Sequence, residues 1–267
     1  MKIFVCIKQV PGVSEVKIDP ETNTLVREGI PSIINPMDKN GIQLALDIKE
    51  EYGGDTIAVS MGPPQAEEAI REAIAMGIDK GYLLTDRAFA GADTLATSHT
   101  LALGIQYLLN QFDEDEKYLI ICGTQAIDGD TAQVGPELAE ELGIPQITYV
   151  KDFQLEGDKI RVQRAFRLEQ VVEIETKLPA LISVLDDVND PKYPRMDGIV
   201  NAYGKEVIHL NQEDIGAQKK NVGLNGSMTE VWKIFVPERK GEHLILEGTI
   251  DEQVEQLCDN LKEDKIF

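Results

Sequence analysis

Basic residues are scarce. Against 47 Asp and Glu the chain sets 26 Lys and Arg, a formal net charge of −21 over 267 residues. That excess repels phosphate backbones and anionic headgroups, which argues against nucleic-acid and membrane-surface partners. Long apolar runs are missing too, since none approaches the ~20 residues a bilayer-spanning helix needs. The opening run Ile3-Phe4-Val5-Cys6-Ile7 is too short for a secretion signal and has no small-residue cleavage site after it; it reads as a first strand. Cysteine is confined to Cys6, Cys122 and Cys258, far apart and without a CxxC pair, which suits buried thiols in a reducing, cytoplasmic setting. The scattered His99, His209 and His243 offer no zinc site of standard spacing. A GxGxxG fingerprint, a GxSxG elbow and an HExxH helix are all absent. Gly198 to Gly204-Lys205 mimics a P-loop only superficially, because the spacing is one residue too long and Glu206 stands where Ser or Thr is required. Hydrolysis and acyl transfer lose support accordingly, and no residue is assigned a catalytic role.

What remains is a regular alternation over the first ~150 residues. The strand Lys2–Ile7 leads through a polar loop to Asn35-Pro36-Met37-Asp38, which opens a helix running to Glu51 and stopped by Gly53-Gly54. Strand Thr56–Ser60, the loop Met61-Gly62-Pro63-Pro64 and a helix Gln65–Met76 come next, the helix carrying Ala66, Ala69, Ile70, Ala73 and Ile74 on one face. A strand Gly81–Leu84 precedes Gly91-Ala92-Asp93-Thr94 and a long helix to Leu109. Repeated strand–loop–helix units with short connections predict a parallel sheet with helices on both faces, and in such sheets ligands bind beyond the carboxyl ends of the strands.

The chain centres on one such end. The apolar run Tyr118–Cys122 meets Gly123, then Thr124-Gln125-Ala126-Ile127-Asp128-Gly129-Asp130-Thr131-Ala132-Gln133, then Val134, Leu138 and Leu142 at helical spacing with Gly143 to stop them. A strand, a glycine-bearing loop and a helix start direct backbone N–H groups and the positive end of a helix outward, which suits a phosphate. Asp128 and Asp130 are placed either to orient a ribose or to cap the helix. An ordinary capped strand–helix connection accounts for the same residues. The four post-strand loops Lys8–Gly12, Met61–Pro64, Thr85–Thr97 and Gly123–Gln133 all hold Gly, Pro or hydroxyl residues, which favours a nucleotide.

After Pro145 the texture changes to antiparallel strands, Gln146–Leu155, Arg161–Phe166 and Val171–Ile174, with Glu156-Gly157-Asp158 as a hairpin turn, and then a further strand Ala180–Leu185. Pro191, Pro194 and Gly198 punctuate a loop holding Tyr193 and Met196. From Lys219 to Gly226 the chain reads as a linker, dividing an α/β domain, 1–218, from a C-terminal arm, 219–267. The arm carries Val231-Trp232-Lys233-Ile234-Phe235-Val236 and an amphipathic helix Ile250–Leu261. Its apolar residues need a surface, either the chain's own sheet or a partner subunit.

Ile7-Lys8-Gln9-Val10-Pro11, Asn35-Pro36-Met37-Asp38, Val59-Ser60-Met61-Gly62-Pro63, Ala75-Met76-Gly77, Gly123 to Pro136, Leu178-Pro179-Ala180 and Asn189-Asp190-Pro191-Lys192-Tyr193-Pro194 occur in this order in the electron transfer flavoprotein β subunits, which the chain resembles over nearly its whole length. The resemblance implies a Rossmann-like α/β sheet of the adenine-nucleotide-binding type with a small antiparallel β segment, and a heterodimer with an α subunit. It carries cofactor contacts onto Cys6, Asn35, Pro36, Met37, Asp38, Met61 and the loop Gly123, Thr124, Gln125, Ala126, Ile127, Asp128, Gly129, Asp130, Thr131, Ala132, Gln133 and Val134. It assigns partner recognition to residues 190–199, with Tyr193 and Met196, while Trp232 belongs to the arm. One branch of the family holds AMP in the β subunit; another holds a second FAD, oxidises NADH and bifurcates the electron pair. Asp19 to Arg27 and Gly91-Ala92-Asp93-Thr94-Leu95-Ala96-Thr97 resemble the second branch; Asp93, Thr94 and Thr97 are expected at the FAD, where the hydroxyls of Thr94 and Thr97 could bond a diphosphate that AMP does not have. The implied partners are the α subunit, a flavin dehydrogenase or reductase of the lactate, acyl-CoA or enoyl-CoA type (the acyl-CoA dehydrogenases among them), and ferredoxin or flavodoxin. A conventional AMP-binding carrier and a nucleotide-sensing module are the alternatives. The chain departs from the family pattern at Gly12, where an acidic residue is usual, and at Arg167-Leu168-Glu169-Gln170.

Overall fold

A computed structural model describes residues 1–12, 31–113, 115–166, 170–232 and 244–264. The chain divides into two compact units, Met1–Trp232 and Lys233–Phe267. In the first, a sheet of nine strands has the order β11-β5-β4-β1-β6-β10-β7-β8-β9. These are β1 (Lys2–Cys6), β4 (Asp55–Met61), β5 (Lys80–Leu84), β6 (Tyr118–Gly123), β7 (Gln146–Glu156), β8 (Lys159–Ala165), β9 (Val171–Lys177), β10 (Ala180–Val184) and β11 (Val207–Leu210). From β11 to β7 every pairing is parallel, and β7, β8 and β9 pair antiparallel. The expected Rossmann-like sheet with its antiparallel segment is therefore present, the segment continuing the same sheet. At the β7–β8 hairpin Gly157 has φ +64, which a residue without Cβ adopts freely.

Central strands of a parallel sheet are covered on both faces, so their side chains are apolar in both directions. In β1, Ile3 and Val5 enter one core while Phe4 and Cys6 enter the other. The first core is closed by α1 (Pro36–Tyr52) and α2 (Glu67–Met76), through Ile42, Ala45, Ile48, Ala69, Ile70, Ala73 and Ile74. The second is closed by α3 (Thr94–Leu109) and α4 (Val134–Leu142), through Leu101, Ala102, Ile105, Leu108, Leu138 and Ala139. From β1 the chain winds through α1 and α2 out to β5; α3 then brings it back across to β6, on the other side of β1. The winding direction reverses between β1 and β6, so their carboxyl ends frame the place where such sheets take a ligand.

Three expectations are corrected. Inside the polar loop after the first strand, Gln9–Pro11 and Ser32–Ile34 form short strands β2 and β3 paired antiparallel, because Val10 and Ile34 have a core to enter. The proline-punctuated loop after residue 190 ends early, at a helix α5 (Met196–Gly204). Gly198 marks close packing here, since a Cβ at that position would strike the Ala75 carbonyl of α2. Lys219–Gly226 is no linker: a 3-10 turn Lys219–Asn221 and the short helix α6 (Gly223–Gly226) bury Val222 completely. Gly223 adopts φ +57 where a side chain would strike the Ala88 carbonyl.

Of the second unit the structure describes α7 (Ile250–Glu263). Thr249 caps it in a reciprocal box with Glu252, which satisfies two of the donors that a helix start leaves free. Ile250, Val254 and Leu257 are exposed along one face. Lys233–Val236, Asp19–Arg27 and Arg167–Glu169, on which parts of the sequence reading fall, lie outside the described residues.

Candidate functional site: the crevice between β1 and β6

The loop after β6 begins at Gly123, whose missing side chain makes room for the Asp38 carboxylate and the α1 backbone at Met37 and Asp38; any Cβ there would overlap them. Thr124 turns inward. Its backbone N–H and its hydroxyl both donate to the Val184 carbonyl, at 3.0 and 2.8 Å, extending the β6–β10 ladder by one residue. Its hydroxyl is thus spent on structure. Gln125 bonds the Asp130 carboxylate, and Lys8 pairs with Asp128 at 2.6 Å. The loop doubles back through Asp130 N–H to Ala126 O at 2.8 Å. Asp130 and Ala132 take left-handed φ values of 53 and 54, an arrangement that non-glycine residues seldom adopt.

Neither aspartate caps α4. Its N-cap residue is Gln133, with no side-chain cap bond, so the expectation of Asp128 or Asp130 as a cap is not met. The N–H groups of Thr131, Ala132 and Gln133 find no acceptor among the described residues. A helix start with unspent donors attracts anions. The donor set therefore fits a phosphate group.

Behind the loop lie two buried polar side chains. Asn35 is the N-cap of α1, and Asp38 occupies the first turn. Asp38 accepts from Lys8 N at 2.7 Å and from Asn35 Nδ2 at 3.0 Å, and from the Gly123 amide. Burial pushes its carboxyl up to about 7, although these hydrogen bonds pull the other way. On the α3 side of the sheet, Cys6 and Cys122 face each other in register on β1 and β6. The hydrogen bond that the Cys122 thiol donates to Cys6, together with burial, raises that thiol well above its usual value, so it is no thiolate nucleophile. Met61 is half-buried at the end of β4, packed against the same core. Pro36 and Met37 form the start of α1, the first exposed and the second half-buried.

The loop after β5 supplies the remaining expected residues. Asp93 caps α3 through Ala96 N at 3.0 Å, and its other oxygen accepts from Met228 N at 2.8 Å, Thr229 N at 2.9 Å and Thr229 Oγ1 at 3.0 Å. Burial raises that carboxyl, but the hydrogen bonds together outweigh it and hold it below the usual range. Asp93 thus fastens 227–229 to the α3 start. Thr94 donates to Glu137 Oε1 of α4 at 3.1 Å, and Thr97 is half-buried one turn on. Burial, reinforced by the charge of Asp93, raises the Glu137 carboxyl.

The structure accordingly brings Cys6, residues 35–38 and the 123–134 loop together at one crevice. Thr94 reaches α4 through Glu137. Two participants were not singled out from the sequence. Lys8 is the only basic residue of the first loop, which could have marked it; Glu137 carries no local signal, because its partner lies 43 positions earlier.

Away from the crevice, α5 and the loop before it expose apolar side chains: Tyr193 is 93% and Met196 79% exposed, with Val200 and Tyr203 following at helical spacing. Trp232, where the first unit ends, is 97% exposed. No helix among the described residues is long and apolar enough to cross a membrane.

Residues 22–215 match the family model described as the electron transfer flavoprotein domain. The electron transfer flavoprotein subunit beta of Thermoanaerobacterium thermosaccharolyticum is 52% identical over 265 residues, covering 98% of each chain. That of Clostridium acetobutylicum is 48% identical over 99% of each. The caffeyl-CoA reductase–Etf complex subunit CarD of Acetobacterium woodii is 48% identical over 100% of each.

Proposed function

The chain belongs to the electron transfer flavoprotein family, among its β subunits, and on that premise we propose that it is the β subunit of a bifurcating, cytoplasmic electron transfer flavoprotein. It pairs with an α subunit, takes electrons from NADH, and passes them to an α-subunit FAD and its dehydrogenase or reductase on one side and to ferredoxin or flavodoxin on the other. FAD, when bound, supplies the hydride acceptance and the one-electron steps; the protein binds and orients it. The single observation carrying this reading is the crevice between β1 and β6, with its uncapped α4 start and its three unspent loop amides.

On this reading the adenosine end lies along Asn35–Asp38 and Met61, and Thr131–Gln133 receive a phosphate. The Lys8–Asp128 pair closes the approach between the first loop and the phosphate loop, and its ammonium offsets the acidity around the bound anion. Thr94 releases Glu137 and turns its hydroxyl to the second phosphate, with Thr97 beside it; an AMP-holding subunit has no second phosphate for them. Tyr193, Met196 and the apolar face of α5 meet the dehydrogenase or reductase, for which the flexible thioether of Met196 is a suitable anchor. Trp232 and the arm, with α7, cover the α subunit. The similarity to a chain named as part of a caffeyl-CoA reductase complex supports a CoA-ester reductase as the partner class.

The test replaces Thr94 and Thr97 together by Leu in the protein produced with its α subunit. Loss of β-site FAD with wild-type folding is expected. Unchanged FAD with a normal NADH response would refute the diphosphate assignment. An unchanged AMP content in both proteins, with no second FAD, would instead favour the conventional carrier.

A further inference from the structure

Asn35 is 1% exposed and stands at the N-cap of α1, yet its side chain makes no capping bond to its own helix. An N-cap Asn ordinarily satisfies an N–H of the first turn. Pro36 at the first helical position has no N–H to satisfy, and the Asn35 amide reaches across the crevice instead. Its Nδ2 donates to Gln125 O at 2.9 Å and to Asp38 Oδ1 at 3.0 Å, while its Oδ1 accepts from Ile127 N at 3.1 Å. A carboxamide carries two donor hydrogens, and both are engaged. Asn35 therefore has no donor left for a ligand. It holds two peptide groups of the phosphate loop as a neighbouring strand would, from 90 residues away.

Asp38 completes the arrangement. Its two oxygens collect Lys8 N, Asn35 Nδ2 and the Gly123 amide, so one buried carboxylate ties the loop after β1, the start of α1 and the end of β6. The backbone N–H of Lys8 would be unpartnered without it, which is costly beside a buried carboxylate.

We propose that Asn35 and Asp38 are positioning residues, a buried pin that sets the 123–134 loop in its phosphate-receiving form before any nucleotide arrives, and that they do not themselves touch the nucleotide's phosphates. The pin rests on the nucleotide reading for its purpose but not for its existence. Preformed donors cost no reorganisation on binding, so loosening the pin weakens the nucleotide without removing a contact to it.

The pin also confers a pH dependence. Burial brings the Asp38 carboxyl up to about 7, within reach of ordinary buffers. The charged and titratable groups facing it are the Lys8 ammonium, which favours ionisation, and the Cys122 thiol. When ionised, Asp38 accepts from every donor around it; when protonated, it turns one O–H toward those donors. Nucleotide binding is therefore tighter above about pH 7 and weaker below it.

The experiment uses the full chain with its α subunit, stripped of nucleotide, and measures amide hydrogen exchange over 123–134. Binding of AMP and of FAD is then followed between about pH 6 and 8. For N35A we expect faster exchange across this loop in the nucleotide-free protein and roughly tenfold weaker nucleotide binding. For D38N we expect the pH dependence of binding to flatten. Should N35A fail to fold, I127P removes the same bond from the loop side and is expected to speed exchange in the same segment. Weakened binding by N35A with loop exchange at the wild-type rate would make Asn35 a direct contact and overturn the pin; so would a pH profile that D38N leaves unaltered. If the wild-type protein binds neither FAD nor AMP, the functional reading falls, while the exchange comparison still decides the pin.

Discussion

The crevice between β1 and β6 and the outer face of α5 are built on opposite rules. In the crevice, polar groups are buried and nearly all of them are paired: Asn35, Asp38 and Thr124 spend their hydrogen-bonding capacity on neighbouring loops. On the outer face of α5, Met196, Val200 and Tyr203 are exposed, with the Arg71 guanidinium over the Tyr203 ring. A preformed polar cradle suits a small charged ligand that must be held in one geometry. A bare apolar face of Met, Val and Tyr suits a macromolecule that supplies the missing cover. On the proposed function, the two regions separate the work of holding a cofactor from that of choosing a partner.

The sharpest way to expose the strain on the crevice side is its pH dependence. Asp38 is raised from 3.8 to about 7, so the folded state holds this proton more tightly than the unfolded chain. The sign follows: Asp38 stabilises the fold while protonated, and that stability is lost as pH rises from about 4 to about 7. A shift of ~3 units corresponds to ~4 kcal/mol as an upper figure. Melting of wild type against D38N over this range should show the wild type losing ground as pH rises; parallel curves would contradict it. On the pin proposal, stability and nucleotide binding respond to Asp38 in opposite directions, as expected of a group kept for function at the expense of the fold.

Next in size is Gly123→Ala. The added methyl meets the Asp38 carboxylate and the rigid backbone at Met37, so overpacking of ~1–3 kcal/mol and loss of nucleotide are expected together. Denaturant melts and nucleotide release measure the two; a variant that keeps both would show the cradle to be slack. On the other face the comparison predicts the reverse. Met196→Asp with Val200→Asp should change stability by no more than ~0.5 kcal/mol, since both side chains are exposed. Electron transfer to the partner dehydrogenase should fall, with nucleotide content intact. A large stability loss would mean that this face is covered within the chain.

Much of this was legible in the sequence, for identifiable reasons. β1 and β6 hold apolar runs ended by a polar residue or Gly, β10 is apolar except for Ser183, and α1, α2 and α4 carry clear helical spacing with glycine stops. The antiparallel hairpin was legible from Glu156-Gly157-Asp158. What escaped was short or non-local. β2 and β3 are each three residues long and gain their register from each other. Gly198 was indistinguishable from a loop glycine because its reason, the Ala75 carbonyl, lies on another helix. The same holds at the site. Asn35-Pro36 announced a helix start, but the diversion of the Asn35 amide to Gln125 and Ile127 is a tertiary fact. Thr124 looked like a phosphate ligand by its place in the loop, yet the Val184 carbonyl claims it.

The most direct measurement is the nucleotide content of the chain purified with its α subunit, released by denaturation and separated by chromatography. Two FAD and no AMP are expected for each heterodimer. One FAD with one AMP would contradict the bifurcating assignment and return the protein to the conventional carriers of its family.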